Sequence, residues 1–207
     1  MNYFVTGTDT DVGKTFVSNL LIRGLRAAGL DTVGMKPICC GGREDAELLH
    51  AACDFSIPLN DVNPIWLRTP AAPYTACVIE NRLIDLDAIR ETFARVRREH
   101  RSLIIEGAGG WLVPITREFF VSDLAAEMKL PIVVVANNKL GAINHTLLTV
   151  RDIQARGLNC AGVILNNVEP DSDIATTTNR SVLETLLEVP ILFEVQRNQS
   201  ELRMGVA

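Results

Sequence analysis

Apolar residues along this chain fall into two alternating kinds of stretch. Short runs rich in β-branched residues predict buried strands at Asn2–Thr6, Thr32–Lys36, Leu103–Glu106, Pro131–Ala136, Ala161–Leu165 and Ile191–Phe193. Between them lie segments with helical spacing: Lys14–Ala28, ending near Gly29, a short one at Glu44–Ala52, and Asp85–Glu99, with Leu86, Ile89, Phe93 and Val96 on one face. Further helices are predicted at Val121–Lys129, Ala142–Arg156 and Ile174–Leu187. Strands apolar throughout and separated by helices imply an α/β fold, with a predominantly parallel sheet covered by helices on both faces. The segment Asp54–Val78 breaks the alternation, being rich in proline and without a clear period. No repeat or interdomain linker divides residues 1–207, so a single domain is expected.

Composition narrows the function classes. Hydrophobic residues make up 47% and charged residues 22% of the 207, as in an ordinary globular protein. A formal net charge of −5 argues against a general nucleic-acid surface, and the cluster Arg95–Arg98 sits among Glu91, Glu99 and His100 as a solvated helix face. Five cysteines without metal-ligand spacing suggest a reducing compartment. No apolar stretch approaches the roughly 18 residues of a membrane span. A cytoplasmic location without membrane or nucleic-acid partners is the expectation.

In parallel sheets of this kind ligands gather beyond the carboxyl ends of the strands. The first such loop, Thr6-Gly7-Thr8-Asp9-Thr10-Asp11-Val12-Gly13-Lys14-Thr15, ends in Gly-Lys-Thr between a strand and a helix, the signature of a phosphate loop. There, backbone N–H groups and a helix N-terminus surround phosphates, a lysine neutralises their charge, and a threonine hydroxyl can ligate magnesium. The strict template would place its first glycine at Thr8, and Gly7 comes one residue early. Glu106 closes a strand and precedes Gly107-Ala108-Gly109-Gly110, a position suited to a second magnesium contact. Asp45 opens a helix soon after Lys36-Pro37, where it is read equally as a metal contact or as an N-cap.

These segments, with Lys36-Pro37-Ile38, Asp45-Ala46, Glu106–Trp111 and Lys139-Leu140-Gly141-Ala142-Ile143-Asn144-His145, resemble in order the dethiobiotin synthetases, a family of P-loop NTPase architecture. The resemblance runs from about Tyr3 to Asn167, and Pro70-Ala71-Ala72-Pro73 is similar to a family segment beside the substrate. It implies a homodimer that binds 7,8-diaminopelargonate at the subunit interface and uses ATP, Mg²⁺ and CO2 to close a ureido ring through a carbamate and a carbamic-phosphoric anhydride.

By the same resemblance, Asp11, Val12, Gly13, Lys14, Thr15 and Phe16 hold the nucleotide together with Gly107, Ala108 and Gly109. Thr15, Asp45 and Glu106 hold the metal, and Lys36, Lys14 and Thr10 carry catalysis. Thr10, Lys36 and Cys40 face the substrate, and Gly141, Ala142, Ile143 and Asn144 bind its carboxylate from the partner subunit. Asn166 reads adenine, with Asn167 beside it, whereas His145 is structural. The alternative for Thr10 is a turn-stabilising role, and for Lys36 a side chain that reaches out to solvent.

Three features depart from the family pattern. Cys39-Cys40 stands where many relatives carry serine, the connection from Cys40 to Asp45 is short, and Phe193–Asn198 lacks the usual Ile-Pro. The competing class is a nucleotide-switch ATPase of the partitioning or metal-insertion type. Many of those carry an additional lysine early in the loop, whereas Thr8–Val12 contains none.

Overall fold

The computed structural model describes residues 1–168 and 173–202. In chain order its strands are β1 (Asn2–Gly7), β2 (Thr32–Met35), β3 (Ile38–Cys40), β4 (Ile65–Leu67), β5 (Ser102–Gly110), β6 (Ile132–Asn137), β7 (Cys160–Asn167) and β8 (Ile191–Gln196). The helices are α1 (Lys14–Ala27), α2 (Glu44–Ala52), α3 (Leu59–Val62), α4 (Pro73–Glu80), α5 (Leu86–Glu99), α6 (Val121–Met128), α7 (Ala142–Ala155) and α8 (Ile174–Leu186).

Six strands form one parallel sheet in the order β2-β5-β1-β6-β7-β8, and β3 and β4 form a separate parallel pair. Successive side chains of a strand point to opposite faces. The uninterrupted burial of β2 and β6 therefore requires cover on both faces, in agreement with the α/β expectation. Phe4, Val33, Ile104, Val134 and Ile164 form the middle of this core.

Local signals set several helix starts. Asp85 caps α5 by accepting from the Ala88 N–H at 2.9 Å, and Asp173 caps α8 by accepting from Thr176. Neither α1 nor α7 has a side-chain cap, and each begins after a glycine in the left-handed region, Gly13 (φ 85°) and Gly141 (φ 93°). The Ala142 N–H donates to the Lys139 carbonyl at 3.0 Å, and the other first-turn N–H groups of the two helices are left for something else to satisfy.

The predicted boundaries agree with the observed elements to within a few residues. The main differences lie in Asp54–Val78, which contains α3, β4 and the start of α4. Strands of three residues are too short to show a period, so β3 and β4 are recognisable only by their pairing, Ile38 with Ile65 and Cys40 with Leu67. Strand β5 also runs beyond Glu106 through the glycines, because Gly110 pairs with Gly7.

Gly34 of β2 lies beneath α1 and α2, where an added Cβ would stand 2.7 Å from Ile22 Cδ1 and 3.1 Å from Leu49 Cβ. Gly34→Ala is therefore expected to destabilise the fold by about 1–3 kcal/mol through overpacking. Chemical denaturation measures this as a lower midpoint at unchanged slope.

Candidate active site

The turn after β1 is shaped by close packing. A Cβ on Gly7 would lie 2.7 Å from the Asp9 carbonyl oxygen and 2.8 Å from Val12 Cγ2, so Gly7 supplies the tight exit despite its displaced position. Asp11 (φ 55°) and Gly13 (φ 85°) both adopt left-handed conformations, which curl the loop over the start of α1. A Cβ on Gly13 would come within 2.0 Å of Asn166 Nδ2. That amide donates to the Val12 carbonyl at 2.9 Å, so the end of β7 fastens the loop from the side. The buried Lys14 ammonium donates to the Asp9 carbonyl at 3.0 Å. Burial, reinforced by nearby Lys36, lowers its pKa to about 8, which leaves it charged at neutral pH.

Lys36 and Glu106 meet because β2 and β5 pair in register. Met35 lies opposite Ile105, so the next residue of each strand faces its neighbour at the carboxyl end of the sheet. Lys36 Nζ lies 2.5 Å from Glu106 Oε1 and 2.9 Å from Asp45 Oδ2 at the start of α2. Burial alone would lower the Lys36 pKa, but the two carboxylates outweigh it and hold the ammonium above the usual lysine range. Burial would likewise raise Asp45, yet Lys36 holds it below the ordinary carboxylate value. The Asp45 side chain does not cap α2, which removes the N-cap reading of this residue.

The Thr15 hydroxyl donates to Glu106 Oε1 at 2.8 Å. Glu106 is fully buried, and its second oxygen, Oε2, has no hydrogen-bond partner. A buried carboxylate oxygen without a donor, beside a threonine hydroxyl and a second carboxylate, is a donor set suited to a hard divalent cation. Two carboxylates leave room for phosphate and water ligands, the usual arrangement for magnesium rather than zinc.

Thr10, Lys36, Cys40, Asp45 and Gly109 line one cavity of about 440 Å³, closed on one side by Pro70–Pro73. Burial pushes the Cys40 thiol up to about 11 and Cys39 up to about 12, so both remain neutral thiols. A larger cavity of about 680 Å³ beside α4 contains none of the predicted site residues. Gly141, Ala142, Ile143 and Asn144 do not line the Lys36 cavity either. They form the uncapped start of α7, with Ala142 buried and Asn144 exposed, and His145 is exposed beside them.

Gly13, Phe16, Asn166, Asn167, Arg197 and Asn198 surround a further cavity of about 390 Å³ beside the loop. The two asparagines differ in kind. With Nδ2 committed to Val12, Asn166 has its side-chain oxygen left to accept a hydrogen bond. Asn167 accepts from Asn138 Nδ2 at 2.8 Å and donates to Glu194 at 3.0 Å, so both ends of its amide are used within the protein. The C-terminal strand lacks Ile-Pro, yet the residues after it, Arg197 and Asn198, do reach this cavity.

Sequence reasoning missed Asn63, Asn138 and Asn179. Asn138 and Asn179 are buried and bond each other at 2.9 Å, and Asn179 also donates to the Lys139 carbonyl just before α7. The one visible signal of Asn63 is an Asn-Pro pair in a stretch without a period.

Comparison with known proteins places these features in context. The family model described as AAA domain matches residues 1–200. The chain is 45% identical over 205 residues to the ATP-dependent dethiobiotin synthetase BioD of Akkermansia muciniphila, covering 99% of this chain and 96% of that protein. It is 44% identical to the corresponding protein of Anaeromyxobacter sp. strain K, over 88% of this chain and 84% of the other. Among solved structures, a ParA family ATPase from Chlorobium tepidum superposes with a TM-score of 0.57 at 10% identity, covering 96% of this chain and 85% of that one. The septum site-determining protein MinD of Pyrococcus horikoshii gives 0.55 at 15% identity, covering 95% and 82%. At such identities the structural likeness concerns the fold alone.

Removing the Asn166–Val12 bond should loosen the loop and the adjoining cavity together. Asn166→Ala is expected to weaken ATP binding about tenfold, the usual cost of one buried hydrogen bond whose partner is left unsatisfied. Calorimetric titration of the folded variant measures the change.

Proposed function

The chain belongs to the ATP-dependent dethiobiotin synthetases, and from that membership we propose that it acts as a single domain to close the ureido ring of dethiobiotin from 7,8-diaminopelargonate, CO2 and ATP, in biotin biosynthesis. The observation that carries this reading is the Lys36 ammonium, held charged in a buried setting and opening onto the cavity shared by Thr10 and Gly109.

The chemistry poses an electrostatic problem that this arrangement suits. One amine of the diamine captures CO2 as a carbamate, its oxygen takes the γ-phosphoryl group of ATP, and the second amine displaces phosphate to close the ring. Two anions must therefore approach each other. Lys36 faces the carbamate side and Lys14 the phosphate side, so each anion meets a preorganised cation. Magnesium, when bound, would neutralise further phosphate charge, and Thr15, Asp45 and Glu106 are the residues that would hold it. Thr10 would orient the carbamate through its hydroxyl, and the Cys40 thiol would face the diamine as a weaker donor than a hydroxyl.

The separation of Gly141–Asn144 from the Lys36 cavity supports a homodimer with shared sites. The uncapped start of α7 presents N–H groups suited to a carboxylate, but to one bound in the partner's cavity. In the cavity beside the loop, Asn166 offers an acceptor to the exocyclic amine of adenine. The switch-ATPase alternative shares the fold, but a switch does not require a buried lysine facing a substrate cavity.

Two measurements test this reading. The protein should release phosphate from ATP only when both the diamine and CO2 are present, and Lys36→Ala should lower turnover about 10²–10³-fold. Slow hydrolysis of ATP alone, unaffected by the diamine, would favour the switch. For the shared site, Asn144→Ala should raise the KM for the diamine about tenfold while ATP affinity stays unchanged. At diamine concentrations well below the raised KM, mixed Asn144→Ala and Lys36→Ala subunits should exceed the activity of either homodimer, because one composite site then carries neither defect. No recovery after confirmed subunit exchange would overturn the shared site.

A further inference from the structure

Lys36 and Asp45 lie on different elements, and their 2.9 Å contact depends on where α2 starts relative to the end of β2. The turn between β3 and α2 is only Gly41-Gly42-Arg43, and Gly41 is itself in the left-handed region. What joins the two elements is a set of hydrogen bonds from residues 62 and 63. The Lys36 N–H donates to the Val62 carbonyl at 2.7 Å. The Asn63 amide donates to the Lys36 carbonyl and to the Ile65 carbonyl, each at 2.8 Å. Both backbone groups of Lys36 are thereby fixed from outside its own strand.

The remaining end of Asn63 is equally committed. Its Oδ1 accepts from Arg43 Nε at 2.9 Å, and its backbone carbonyl accepts from Arg43 Nη2 at 2.8 Å. Arg43 also donates to Asn60 Oδ1 at 2.8 Å, and its guanidinium lies 5.7 Å from the centre of the Trp66 ring. Arg43 is the residue that precedes α2, and its carbonyl accepts from Glu47 in the first turn. Asn63 is 1% exposed, so an unmatched end of its amide would be costly; two of its side-chain bonds, to the Lys36 carbonyl and from Arg43, join the end of β2 to the start of α2, while the third, to the Ile65 carbonyl, fixes Asn63 to β4.

We propose that Arg43 and Asn63 are positioning residues, a clamp that sets the distance between Lys36 and Asp45. Arg43 holds the start of α2 onto Asn63, Asn63 holds the Lys36 backbone, and the two charged side chains meet as a result. A planar guanidinium with its forked donors can grip the side chain and the backbone of Asn63 at once, which a lysine cannot do. The short β3–α2 turn makes the clamp necessary, since three residues, two of them glycine, impose little direction of their own on the helix. The catalytic meaning of the clamp rests on the reading of Lys36 given above, whereas its geometric meaning does not.

Arg43→Met tests it, because the methionine keeps an aliphatic stem against Trp66 and removes all three hydrogen bonds. We expect kcat for ring closure to fall about 10–100-fold, the cost of a misplaced catalytic group, while the KM for ATP stays close to wild type; the thermal midpoint should drop by a few degrees because Asn63 loses a donor, with the variant still folded at the assay temperature. In an Asp45→Asn background, where the ion pair is already gone, the same substitution should cost less than about twofold. Should Arg43→Met not fold, Arg43→Lys is expected to show the same division between kcat and KM at smaller size. Crystal structures of the wild type and the variant give a readout independent of activity, in which the Lys36–Asp45 contact is lost and the Lys36–Glu106 contact kept. If the wild type lacked diamine-dependent turnover, the functional reading would fail and the crystal comparison would still decide the clamp. An intact Lys36–Asp45 contact, an unchanged kcat, or a full additional loss in the Asp45→Asn background would each overturn it.

Discussion

A charged lysine buried against a fully buried glutamate is the constraint around which the carboxyl end of this sheet is arranged. Removing an ammonium or a carboxylate from water carries a penalty of several kcal/mol for each ion, and only close pairing with further hydrogen bonds offsets it. Lys36 and Glu106 obtain that pairing from the register of β2 against β5, in which a one-residue slip would leave the two side chains on opposite faces of the sheet. Asp45 and Thr15 then complete the surroundings of the pair from α2 and α1. Such a cluster is an expensive way to stabilise a protein. It accords with the role proposed for Lys36, a cation fixed in place before the anions it would meet.

The same fold carries proteins of very different behaviour, so architecture alone says little about chemistry. What separates this chain from the partitioning ATPases that superpose on it is a handful of side chains at strand ends and helix starts. The loop after β1 has aspartates where a switch of that class often has a lysine. A buried lysine instead directly follows the second strand, in a cavity that shares no lining residue with the one beside the loop.

Much of this was legible in the residues themselves. Gly13-Lys14-Thr15 and Glu106 announce themselves because their roles follow from local position, at a helix start and at a strand end. The six long strands could be read because they are apolar throughout. Roles created by tertiary contact were not legible. Three-residue strands have no period to detect, so β3, just after Lys36-Pro37, and β4, within the proline-rich segment, were both hidden. Asn166 and Asn167 are adjacent and identical in type, yet only their partners, Val12 for one and Asn138 with Glu194 for the other, distinguish a residue with an end to spare from one with none. Asn63 has no motif at all, since its importance lies in bonds to Lys36 and Arg43, 27 and 20 residues away in sequence.

The strand order also bears on how the protein is made. Strand β1, which leads into the phosphate loop, is the first to be synthesised, but its two neighbours in the sheet are β5 and β6. Val5 pairs with Glu106 on one side and Val133 on the other, and the amide that fastens the loop comes later still, from Asn166. At roughly 5–20 residues per second, the emerging N-terminal strand waits on the order of ten seconds or more for its partners. Throughout that interval its apolar edge has nothing to pair with, the circumstance in which a nascent chain depends on chaperones. The loop gains its last fastening only when Asn166 has left the ribosome, so shorter nascent chains hold it less firmly.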